Sequence, residues 1–377
     1  MNKEIEHTLV DIESEKMSIL HFSNKKITVE SGKNGKLKSL EKVFPNKEDA
    51  EKYFEKKEWE LLKKGFVLQN ADAPIGKPIL HYFVGNYYTG ALSFEQTPKG
   101  IYIYKANGAD AETDDLILID IEGKLIDIIN LPGKLAWDIQ YNKSENELLF
   151  DLDHYIYKYN IIENKFNQCT KKDLKNMTSF ISVSNNKIAF STNPIIVVTD
   201  ISGKKIFDFN YDANSIKGSI PFCSVLSKDG SLLAFHNKIS EIAIHNANDG
   251  KIINKINGNF EMAEQMEFTE KDKILAVREQ YGAWKMYYYN IETGKEIEYK
   301  KLEIPEYTKE VNNFCFNKSQ TKLVLTQRNN IYVYDFIKKE LLHSFKIMHS
   351  VKTIYPKFVG EQLGIRTDYG CFSIYNV

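Results

Sequence analysis

The side chains through which this 377-residue chain could do chemistry are few: eight histidines, four cysteines and three arginines. Cys169, Cys223, Cys315 and Cys371 lie far apart, without the paired spacing of a disulfide framework or a zinc site, and read as free thiols of a reducing compartment. The histidines are scattered, and none has a second ligand at metal spacing. His154, His236 and His245 fall at strand or turn positions, where structural roles are expected. No nucleophile elbow, phosphate-binding loop or His-Glu-x-x-His helix occurs. Gly32-Lys33-Asn34-Gly35-Lys36 is too short for a phosphate loop and leads into a strand. The acidic run 110–115 lacks the alternating ligands and turn glycine of a calcium loop and reads as solvated. The expectation is therefore no catalytic residue, no metal and no cofactor.

Two groups suit binding instead. Arg278, Arg328 and Arg366 are the only arginines, so positive charge is carried almost wholly by lysine. The chain's net charge is −1, yet residues 16–42 hold seven lysines against Glu30 and Glu41. Lys33, Lys36 and Lys38 there could track phosphates, or could simply solvate a hairpin face. The second group is the aromatic run 281–289. Alternation puts Trp284 on a packed strand face; if Tyr281 and Trp284 instead crown a loop, they suit a protein interface.

The elements that must position these residues are strands. Twenty-two tyrosines and twenty-two phenylalanines against nine prolines favour β structure. A run ending in Asp or Asn, then a turn and usually a lysine, recurs at Asp120, Asn160, Asp200, Asn246, Asn290, Asp335 and Asn376. Each period of roughly 40–45 residues holds four short alternating runs, the unit of a β-propeller blade. Seven copies predict seven blades. The last copy reaches Val377 after its third run, so the apolar run 79–84 is expected to supply the fourth strand and close the ring. This layout resembles the WD40-like propeller superfamily over about 300 residues, in period rather than in signature dipeptides.

The first seventy residues differ. Ile19–Phe22, Lys26–Glu30 and Lys38–Phe44 read as three strands, and 47–64 as a covering helix with Asn46 as N-cap. Their order and punctuation resemble a WGR domain, especially its bacterial versions. Ser31-Gly32-Lys33 stands at the Trp-Gly-Arg stretch, Gly35 at the next turn glycine, and Lys64-Gly65-Phe66 at the Lys-Gly-aromatic ending. That resemblance implies contact with DNA ends or RNA, although Ser31 and Lys33 replace the family's Trp and Arg.

The sequence thus predicts a mainly β protein. It comprises a small α+β WGR-like domain (1–70), a linker (71–77) and a seven-bladed propeller (78–377). The function expected is a non-catalytic interaction scaffold with a protein partner. The alternative is nucleic-acid binding through residues 16–42, and an enzyme would need a polar site at the propeller axis. With no apolar run long enough to span a membrane and no leader-like start, a cytoplasmic location with no membrane contact is expected.

Overall fold

The computed structural model describes residues 5–33, 35–85, 93–152, 155–171, 181–192, 195–211, 223–259, 261–305, 309–350 and 354–377. Six free-standing antiparallel sheets follow one another along the chain, spanning 94–130, 136–171, 182–210, 224–257, 262–290 and 313–346. In each, the first strand is innermost and the others step outward by hairpins. The inner strands pack on one another in sequence order, and Ile354–Val359 touches both Asn313–Phe316 and Phe94–Thr97. Side chains staple neighbours at this inner ring. Gln140 donates to the Ile181 carbonyl (2.5 Å) and accepts from the Val183 N–H (2.9 Å). Gln265 makes the same pair of bonds to the backbone of Phe314 (2.7 and 3.2 Å).

The recurring Asp or Asn is explained by the turn between third and fourth strands. The Asp120 carboxylate accepts the N–H groups of Glu122 and Lys124, and Asp200 those of Ser202 and Lys204. A side-chain acceptor that organises its own following turn is a local device, so it repeats visibly in sequence.

Three expectations are corrected. First, six sheets are free-standing, not seven. The strands Ile354–Val359, Gln362–Thr367 and Cys371–Tyr375 have no sheet of their own but belong to a nine-stranded one. There Cys371–Tyr375 pairs with β6 (Pro78–Phe83), Cys371 opposite Phe83 and Ile374 opposite Leu80. β6 pairs in turn with β5 (Phe66–Gln69), and β5 with β1 (Ile5–Asp11). Second, the sheet at the N-terminus is not three-stranded. It runs on from β1 through β2 (Lys16–Ser23) and β3 (Lys26–Lys33) to β4 (Lys36–Val43) at the free edge. The glycine-marked turn is shorter than expected, because β3 runs to Lys33 and β4 starts at Lys36. Third, the sheet 262–290 has three strands. Its edge is met by the Tyr289–Glu296 bridge and by bonds from the Asn290 N–H to the Lys295 carbonyl and from the Ile297 N–H to the Tyr288 carbonyl, which do not extend into a fourth strand.

Helix α1 (Lys47–Leu62) starts at Asn46, whose side chain accepts the Asp49 N–H at 2.8 Å. Its stripe Ala50, Phe54, Leu61 and Leu62 covers Leu9, Leu20, Phe22, Ile27 and Val29 of the sheet. Cys371 and Phe83 lie in the same apolar cluster, so the helix also packs on the strands that join the ring. The loop 70–77 is tied down by bonds between Gly76 N–H and the Asn376 carbonyl, and between the Asn376 amide and the Ala73 carbonyl. Gly123, at φ +83°, brings the first sheet's outer turn against β5 and β6. A Cβ there would stand 2.6 Å from Leu80 Cδ1 and 2.8 Å from Val67 Cγ1.

Candidate functional site

Lys33, Lys36 and Lys38 are all exposed at the tip of the β3–β4 hairpin. Pairing sets Lys16 opposite Lys33, Lys33 opposite Lys36, and Ser31 opposite Lys38. Period-2 alternation therefore puts Lys16, Lys33, Lys36 and Lys38 on one face, past the end of the helix that covers that face elsewhere. Like charges directly opposite one another in a sheet are destabilising, so this row gains from a bound anion. Lys42, further along β4, lies instead over the rings of Tyr53 and Phe44, 4.5 and 5.0 Å from their centroids.

Tyr281 and Trp284 lie in the loop between Ile274–Gln280 and Met286–Asn290, not on a packed strand face. Both have left-handed backbone, φ +72° and +54°. The buried Glu279 carboxylate holds the loop by accepting the N–H groups of Gly282 (2.6 Å) and Trp284 (2.7 Å). The rings meet edge to face at 6.2 Å, and Tyr281 is 39% exposed. Beside this crown, a cavity of about 310 Å³ is lined by Lys285, Tyr287, Tyr299, Leu302 and Val311, among others.

The ring's axis is polar. Lys357 pairs with Glu95 and donates to the Ile139 carbonyl at 3.2 Å. Burial pushes the Asp138 carboxyl up to about 6, against the attraction of Lys357 and the bond from Gln140. Burial likewise pushes Glu267 up to about 7, opposed by Lys228, Gln320 and Lys357. These carboxyls sit among charged and amide groups that bind each other. The acidic run 110–115 is not simply solvated: Asp114 is buried and accepts from Tyr104 Oη (2.5 Å) and the Asn107 N–H (2.9 Å). Cys223, Cys315 and Cys371 are buried free thiols, and Cys169 is half-buried. His154 and the side chain of Trp137 lie outside the described residues, as do residues 91–92.

Sequence reasoning missed one constellation. Glu58 of α1 is fully buried and receives three imidazoles. His7 Nδ1 from β1 meets Oε2. His81 Nδ1 from β6 and His349 Nε2 from the segment after Glu340–Lys346 meet Oε1, at 2.8 and 2.7 Å. On its far side, His81 Nε2 stands 3.3 Å from Tyr375 Oη. Trp59 stacks on His349, centroids 5.0 Å apart. Burial pushes Glu58 up, but the charge of His7 and the hydrogen bonds from all three rings overcome it and hold the carboxyl well below its usual range. Burial pushes His81 down to about 4. The histidines that show no metal spacing along the sequence meet in space, since positions 7, 58, 81 and 349 are brought together by four separate elements. One signal was present, since Glu58 occupies the apolar stripe four residues after Phe54 and eight after Ala50.

A succession of small antiparallel sheets, packed side by side through their inner strands, defines a β-propeller. A chain in the crystal structure of the Mitotic Checkpoint Complex shares this fold with a TM-score of 0.62 at 10% identity, over 82% of this chain and 94% of that one. The computationally designed Ika8 protein matches with a TM-score of 0.53 at 11% identity, over 78% and 98%. At such identities the likeness is one of fold. No family model matches the chain, and no curated protein sequence does. The WGR resemblance gains no support from these comparisons. No helix among the described residues is long and apolar enough to cross a membrane.

Proposed function

We propose that this protein is a non-catalytic interaction scaffold whose propeller presents the Tyr281–Trp284 crown to a protein partner. In this reading the strands 354–375 with β6 fill the place of a seventh blade. The observation that carries the reading is Glu279, a buried carboxylate that fixes the loop through the Gly282 and Trp284 N–H groups, keeping exposed Tyr281 and half-buried Trp284 on left-handed backbone. A loop free of such a demand would relax to ordinary turn geometry. Exposed, rigid tyrosine and tryptophan are the side chains that dominate binding energy at protein interfaces. The propeller fold, commonly used as a protein-interaction scaffold, supports the same reading. The axial carboxyls Asp138 and Glu267 have the raised pKa values of acid–base catalysts, but their hydrogen bonds run to structural amides and backbone rather than to a nucleophile. A photo-crosslinking side chain at position 281 should trap a partner in native cells that the same probe at exposed Ile162 does not trap. Equal trapping at both positions refutes the crown.

A second reading rests on the Lys16–Lys33–Lys36 row: the hairpin tip binds nucleic acid by its phosphates, at DNA ends or along RNA. Binding by the full chain should weaken with added salt and be lost in Lys33→Glu plus Lys36→Glu. No binding at low salt removes this reading.

A further inference from the structure

We propose that Glu58, His7, His81 and His349 form a structural site for one divalent ion of the zinc class, clasping the N-terminal helix to the ring. Ligand atoms of Glu58, His81 and His349 already lie within 4.8 Å of one another in a buried pocket. His7 Nδ1 reaches the other oxygen of the same carboxylate. The four groups come from β1, α1, β6 and the segment after Glu340–Lys346, so one ion would join parts of the chain 342 residues apart (349 minus 7).

The donor set selects the ion. Three imidazole nitrogens and one carboxylate oxygen suit zinc and its first-row neighbours, whereas calcium and magnesium demand mostly oxygen. Four protein ligands at about 2.0–2.2 Å complete a tetrahedron, which leaves no open position for a substrate and makes the site structural. Tetrahedral geometry places donors about 3.4 Å apart, so the present Glu58 contacts of 2.7 and 2.8 Å open by well under 1 Å to admit the ion, while His7 turns in from the other carboxylate oxygen to complete the set. His81 has the outer partner that such ligands need: with Nδ1 on the metal, Nε2–H faces Tyr375 Oη and fixes the tautomer. Trp59, flat against His349, restrains that ring and places a fluorophore at the site. Charge also favours occupancy, because a dication more than offsets the buried carboxylate and needs only neutral imidazoles.

The test uses untagged full-length protein, stripped by chelator and then titrated with Zn²⁺ or Co²⁺ alone. The expected result is one ion per chain, visible bands of four-coordinate Co²⁺, and, with Trp137 and Trp284 replaced by phenylalanine, Trp59 fluorescence that changes on loading and recovers on chelation. His81→Ala and His349→Ala should each weaken binding by at least about 100-fold, Tyr375→Phe by about 10-fold or more, and exposed His21→Ala should leave it unchanged. Two results overturn the proposal: wild-type protein that takes up no ion, or a stoichiometric ion retained equally by both ligand variants. Should the ligand variants misfold, the wild-type Co²⁺ spectrum decides, since absence of four-coordinate bands refutes the site unaided.

Discussion

Replacing Glu58 by alanine, in chelator-treated protein, should destabilise the whole molecule rather than its first seventy residues alone. The carboxylate is fully buried and accepts from His7, His81 and His349, which come from β1, β6 and the far end of the chain. Each buried donor left unpaired costs about 1–3 kcal/mol, and breaking a buried charged network costs about 3–5 kcal/mol in total. At about 2.1 cal/mol/K per residue, 377 residues unfold with an entropy of about 0.8 kcal/mol/K. The midpoint should therefore fall by about 4–6 °C. With Trp137 and Trp284 replaced by phenylalanine, Trp59 fluorescence, local to the helix, and far-UV circular dichroism, dominated by the ring, should report the same shifted transition. His349→Ala in the Glu58→Ala background should add much less than it does alone, because the two remove one network. A shifted fluorescence transition with an unmoved dichroism transition would show that the clasp does not couple the two parts, and would refute the reasoning.

Gly123→Ala should lower stability by about 1–3 kcal/mol, since it combines positive φ with the approach to Leu80 and Val67. Gly35→Ala, also at positive φ but facing open space, should show only the smaller backbone part, and urea unfolding of both variants separates the two. The folded-state pKa of Glu267 lies above its unfolded value, so its contribution is fully present below about pH 4.5 and lost as pH rises through about 7. Glu267→Gln should accordingly match wild type at pH 4 and exceed it by on the order of 2–3 kcal/mol at pH 8; a difference independent of pH would count against this assignment. Deleting residues 78–84 removes the strand between β5 and Cys371–Tyr375 and should yield no cooperative unfolding transition.

What could be read from the sequence was what the chain encodes locally. Asp120 and Asp200 organise turns within four residues, and the strands between such turns alternate, so the propeller period is visible without any long-range knowledge. The helix start is equally local, in the Asn46 cap. By contrast, β1 mixes Glu6, His7 and Asp11 with its apolar residues, which hides its local hairpin with β2, and its second partner β5 lies more than fifty residues away. The seventh free-standing blade failed for the same reason: periodicity counts runs but says nothing of the partner on β6's other edge. The Glu58 cluster depends on four elements meeting, and only the acid in the helix's apolar stripe hinted at it.

One continuous sheet joins the first seventy residues to the ring. Hydrogen exchange followed peptide by peptide tests it most directly. Amides of β5, β6 and Cys371–Tyr375 should be released together, at the free energy of global unfolding. Complete exchange of β1–β5 while Cys371–Tyr375 stays protected would contradict it.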